Sequence, residues 1–125
     1  MAAVDVWTAI HVPAANTQAT ATKAAAGVGI VNVCTAITVT LAAGATAPTA
    51  INLQVNLIDG ASGGGTYLWR TTISLPATAG ATTGYVLSDV VLPGTANTAM
   101  TLEFSGAGGA NTIESVSMSG ITVKA

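Results

Sequence analysis

The sequence predicts an all-β fold: one antiparallel β-sandwich of about eight strands, jelly-roll-like, spanning residues 1–125 as a single domain. Three observations carry this. Apolar residues recur with period two in at least four segments, where a helix would show a period near 3.6. Clusters of Gly, Pro, Asn and Asp fall between those segments at short, regular intervals. The composition is the third: 25 Ala, 20 Thr and 14 Gly among 125 residues, 50% hydrophobic but only 6% charged, against the roughly 25% charge of an ordinary domain.

The first strand is expected over Val4–Val12. Val4, Val6, Ile10 and Val12 share one parity, which assigns them to the interior; Asp5, Trp7, Ala9 and His11 fall on the other, which makes Trp7 and His11 surface or interface candidates. Pro13 ends that strand, and Thr17–Lys23 supplies a second. Ala24-Ala25-Ala26 invites a helix that Gly27 and Gly29 cut off within a turn. A third strand covers Gly29–Leu41, with Val31, Val33, Ile37, Val39 and Leu41 inward and Asn32, Thr38 and Thr40 outward. The fourth, Ile51–Ile58, alternates without a fault: Ile51, Leu53, Val55 and Leu57 against Asn52, Gln54 and Asn56. Asp59–Gly65 reads as a flexible hairpin loop that needs positive φ. In the fifth strand, Thr66–Leu75, Tyr67 and Trp69 align with Ile73 and Leu75 and are expected in the core, opposite Arg70 and Thr72. Tyr85–Leu92 and Thr98–Ser105 follow, the latter with Leu102 and Phe104 inward and Glu103 on a wet face. The last strand, Thr112–Val123, is read as changing parity, with Val116 and Met118 on one face and Ile121 and Val123 on the other, and Gly120 at the switch predicts a β-bulge there.

The same residues argue against several functions. Three cations cannot neutralise a phosphate track, so no nucleic-acid partner is expected. The charge-free stretch from Ala24 to Ile58 is long enough to span a bilayer, but alternating threonines and missing aromatic anchors give it strand character; no membrane role is expected. The N-terminus lacks a basic region and carries Asp5, which is not the pattern of a signal peptide. One histidine, one cysteine and scattered acids supply neither a metal-ligand set nor a catalytic constellation, so the reading is a non-enzyme with no metal and no cofactor. Cys34, alone in a strand-like context, reads as a small buried residue.

The wet faces are built of Thr, Ser, Asn, Gln and Ala. Such short side chains lose little rotamer freedom on contact, and interface cores are likewise poor in charge. This points to a subunit of an assembly. The interface candidates are Trp7, His11, Lys23 and Arg70, with Arg70 expected to pair with Glu103 or a partner's carboxylate. Residues 1–23, rich in Thr and Ala and interrupted by Pro13, are the candidate for an N-terminal arm that reaches a neighbour.

The segments Ala21–Ile37 (ATKAAAGVGIVNVCTAI), Thr66–Pro76 (TYLWRTTISLP) and Ala96–Gly120 (ANTAMTLEFSGAGGANTIESVSMSG) resemble small virion proteins of tailed bacteriophages, the head decoration or cement proteins. The resemblance implies a β-sandwich on the capsid exterior, bound to the major capsid protein as a homo-oligomer (a trimer or dimer), with no catalytic residues. The alternative reading is a jelly-roll carbohydrate- or receptor-binding module of a virion, with Trp7 and Tyr85 as its exposed aromatics.

Overall fold

Alternation of aliphatic with small polar residues leaves each strand with one face to bury, and two such faces stacked together satisfy all of them. The computed structural model describes residues 3–125, with side chains from Asp5 onward, and takes this form. Nine strands make two antiparallel sheets: β1 Ala3–His11, β2 Thr20–Lys23, β3 Ile30–Ala43, β4 Ile51–Asp59, β5 Thr66–Leu75, β6 Thr82–Leu87, β7 Leu92–Pro93, β8 Met100–Phe104 and β9 Thr112–Lys124. One sheet runs β1-β9-β3-β6, with β7 also on β3; the other runs β2-β8-β4-β5.

The long strands pair first with last. β1 lies on β9, β2 on β8, β3 on β6 and β4 on β5, all antiparallel. That is one long hairpin rolled across two sheets, the jelly-roll arrangement. The ninth strand arises because the expected Tyr85–Leu92 segment divides. Asp89 takes a positive φ of 55°, which breaks the segment into β6 and the two-residue β7.

The core lies between the sheets. Leu53, Val55 and Leu57 of β4 and Leu102 and Phe104 of β8 face Ile37, Val39 and Leu41 of β3 and Val116 and Met118 of β9, all buried as their parity predicts. The Asp59–Gly65 loop has the expected left-handed glycines, with φ of 74° at Gly63 and 86° at Gly65. A side chain at Gly65 would place its Cβ 2.2 Å from the Asp59 carbonyl oxygen.

Bulges overturn four of the face assignments. In β3 the extra residue is Thr35, between the pairs Cys34–Gly120 and Ala36–Ser119. Val31 and Val33 therefore leave the face of Ile37 and Val39. With Val123 they form a separate small cluster, against which Ala96 and Ile121 pack. Asn32 turns inward and is buried. β9 itself keeps a regular alternation, so the bulge expected at Gly120 sits in the neighbouring strand. In β5, Leu68 is the extra residue between the pairs Leu57–Trp69 and Ile58–Tyr67. Tyr67 is thereby thrown onto the outer face, 51% exposed, while Trp69 stays half-buried against the core.

β1 is reversed relative to expectation. Val6, Ile10 and Val12 are exposed and Trp7 is buried. The side chain of Val4 lies outside the described residues. Trp7 is the largest side chain of the strand, and it is paired with Gly120. A Cβ at Gly120 would stand 2.5 Å from Trp7 Cζ2 and 2.0 Å from the Val33 carbonyl oxygen. The missing side chain is the space that the indole fills.

Of the expected arm, residues 1–23, the described part from Ala3 onward is built into the two sheets. It forms the edge strands of both, and the connection between β1 and β2 is pinned from each side. The Asn16 amide donates to the Thr112 carbonyl at 2.9 Å. The Gln18 side-chain amide donates to the Phe104 carbonyl at 2.6 Å. The Ala19 amide donates to Glu114 Oε1 at 2.8 Å. Met1 and Ala2 lie outside the described residues.

Candidate functional site

The four interface candidates are scattered by the fold. Trp7 is interior. His11, at the end of β1, accepts the Thr20 amide on Nδ1 at 2.9 Å, which ties the two edge strands together. Its acceptance at Nδ1 requires a neutral ring protonated on Nε2, so Nε2–H remains as a donor. Lys23 is half-buried at the end of β2, opposite Met100. Arg70 is exposed on the outer face of β5. Its guanidinium stands 4.4 Å over the Tyr67 ring and donates to Gln54 Oε1. The expected partner, Glu103, is one strand further away: Arg70 pairs across to Asn56, and Asn56 to Glu103.

Glu103 belongs to a different device. Although on the outer face of β8, it is covered by the Asp59–Gly65 loop and buried. Its carboxylate accepts the Ser62 hydroxyl at 2.5 Å and the Gly63 amide at 2.9 Å from that loop. From the other side it accepts the Thr20 hydroxyl at 3.2 Å and the Gln18 side-chain amide at 3.4 Å. Thr101, next along β8, donates to the Gly60 carbonyl at 2.8 Å. Asp59 meanwhile takes the Thr95 amide and hydroxyl, at 3.0 and 2.6 Å. These acids therefore hold loops in place.

Glu114 is the second buried acid, on the inner face of β9 and fully enclosed. Burial pushes its carboxyl up to about 7, with the Ala19 and Gly108 backbone amides pulling in the opposite direction. Its Oε2 has no hydrogen-bond partner among the described residues. Sequence reasoning missed this residue although Glu114 shares the inward parity of Val116 and Met118, because a carboxylate is ordinarily a surface group and is fully buried only when it finds partners. Cys34 is enclosed as expected, and burial pushes its thiol up to about 11. That leaves essentially no thiolate at neutral pH.

What the fold does assemble is a broad face. The outer side of the β1-β9-β3-β6 sheet is fixed by register. Thr8 stands beside Ser119, Ile10 beside Ser117, Ser117 beside Thr38 and Thr38 beside Val86. Ser115 and Thr40 form the next row. Among the described residues, no strand of this sheet places a charged side chain on that face. Alternation puts Ser115, Ser117 and Ser119 in a line along β9, a surface of short hydroxyls flanked by exposed Val6, Ile10 and Val86.

No family model, curated protein or solved structure matches the chain. An uncharged face of hydroxyl and aliphatic groups exchanges its water for another protein surface at less desolvation cost than a charged one, provided that its hydroxyls find hydrogen-bond partners there. Of the two aromatics expected for glycan stacking, Trp7 is enclosed, whereas Tyr85 is exposed as expected, with Trp69 beside it at 5.5 Å between ring centroids.

Proposed function

We propose that this chain is a non-enzymatic bacteriophage capsid decoration protein. It binds the outside of the head as a homo-oligomer and bridges neighbouring major capsid protein subunits. The observation that supports this is the charge-free outer face of the β1-β9-β3-β6 sheet. Small-molecule sites are concave, whereas the outer face of a sheet suits another broad protein surface. Its threonines and serines lose little side-chain entropy when ordered. Each copy alone would bind weakly, and linked copies would bind far more tightly because the second contact becomes intramolecular.

The test mixes the purified protein with undecorated heads at low and high salt. Binding is expected to weaken only modestly with salt, because few ion pairs are on offer. Ser117→Lys, in the middle of the face, is expected to abolish it, and Thr72→Lys on the opposite sheet to leave it intact. Failure of the natural chain to bind heads, or release by salt alone, would refute the reading. Surface substitutions are preferable to deleting residues 1–23, because that deletion removes β1 and β2 from the two sheets. The alternative, a carbohydrate- or receptor-binding module, now rests on exposed Tyr67 with Arg70 above its ring. A glycan array tests it, and binding lost in Tyr67→Ala would favour it.

A further inference from the structure

The free edge of β1 is unlike a protected edge. Exposed edge strands are normally blunted by lysines, prolines or inward charges, because their unpaired backbone groups recruit other strands. From Val6 to His11 this edge carries none of these, and Val6 and Ile10 expose most of their side chains beside it. β1 is bounded by a register shift between Ala3 and Asp5 at one end and by Pro13 beyond the other. The segment left open is therefore short and defined.

Its sequence is complementary to itself. If two copies meet antiparallel about a two-fold axis through Thr8, Thr8 faces Thr8, Val6 faces Ile10, and Asp5 faces His11. Threonine pairs, β-branched pairs and opposite-charge or hydrogen-bonding pairs are each favourable directly across strands. Asp5 is exposed, and its Oδ1 accepts the Val6 amide at 2.8 Å within the chain. His11 has Nδ1 committed to Thr20, so its Nε2–H is the donor left for a carboxylate. No other register of β1 against itself places this acid opposite this histidine.

We propose that β1 is a homodimerisation edge. Two copies join their β1 strands antiparallel about Thr8, giving one continuous sheet of ten strands, five from each copy, with Asp5 of each copy accepting from His11 of the other. In the dimer the Val6 amide exchanges Asp5 for the backbone carbonyl of Ile10 in the second copy. The uncharged faces of the two protomers then lie side by side as a single platform. The proposal rests on the oligomeric part of the reading above and needs no capsid.

The test uses the full chain alone. Sedimentation velocity across the micromolar range is expected to show a concentration-dependent dimer. Thr8→Cys is expected to form a disulfide-linked dimer under mild oxidation, since directly opposed residues of an antiparallel pair lie within disulfide reach. Thr72→Cys, on the outer face of the other sheet, is expected to stay monomeric; buried Cys34 does not interfere. Thr8→Lys and Asp5→Lys, both at exposed positions, are expected to weaken the dimer by about tenfold or more. Circular dichroism checks that each variant keeps its strands. A natural chain that stays monomeric overturns the proposal. So does a dimer that Thr8→Cys fails to link or that Thr8→Lys leaves intact. A dimer that does not bind heads refutes the capsid reading alone, and a monomer that binds heads refutes the pairing alone.

Discussion

Glu114 makes stability depend on pH in a direction opposite to that of most acids. An ordinary paired carboxylate stabilises the folded state once ionised and is lost in acid. Glu114 is enclosed on the inner face of β9, and its carboxyl is raised from 4.5 to about 7. The folded chain therefore keeps this proton over a range where the unfolded chain has released it. The stability it contributes is complete below 4.5 and is lost progressively as pH climbs to about 7, beyond which the penalty is constant. With those two values the loss between pH 5 and pH 8 is about 2–3 kcal/mol, at 1.36 kcal/mol for each full pH unit of difference. Glu114→Gln removes the ionisation while keeping an acceptor for the Ala19 amide. Its new amide group stands where Oε2 has no partner among the described residues, which costs about 1–3 kcal/mol at any pH. The variant is thus expected to be less stable than the natural chain at pH 5 and to equal or exceed it at pH 8. Urea unfolding followed by tryptophan fluorescence at a series of pH values measures this. The difference between the two proteins isolates Glu114, since every other titrating group is common to both. Stability curves that run parallel from pH 5 to pH 8 would refute the argument.

Three further outcomes follow from the packing. Gly120→Ala is expected to cost about 3 kcal/mol or more, because its methyl meets the Val33 carbonyl and the Trp7 ring; thermal unfolding checks this. Phe104→Ala, at a fully buried position, is expected to lose about 3–5 kcal/mol in denaturant titration. Glu103→Ala strips the Asp59–Gly65 loop of the acceptor for Ser62 and Gly63; a loss of roughly 2–3 kcal/mol is expected, with faster proteolysis within the loop.

The all-β class, the sandwich and most strand positions were legible in the sequence because alternation is a local property of a pleated chain. In β4 and β8 nothing interrupts it, and Leu53, Val55, Leu57, Leu102 and Phe104 are buried as the pattern requires. The positive-φ loop between β4 and β5 was legible too, since glycine is the residue that tolerates that backbone. The tertiary structure decided which face each strand presents wherever an extra residue intervened. One bulge at Thr35 sends Val31 and Val33 outward, and another at Leu68 exposes Tyr67. A single inserted residue reverses every side chain beyond it, and the insertion is defined only by the partner strand. The same holds for Trp7. Parity assigned it to the surface, but a glycine more than a hundred residues away opens the space it fills. The two buried acids belong to this class as well. Composition shows that charge is scarce, while only the packed loops and strands determine that Glu103 and Glu114 are enclosed and that the charge-free hydroxyls are left facing outward.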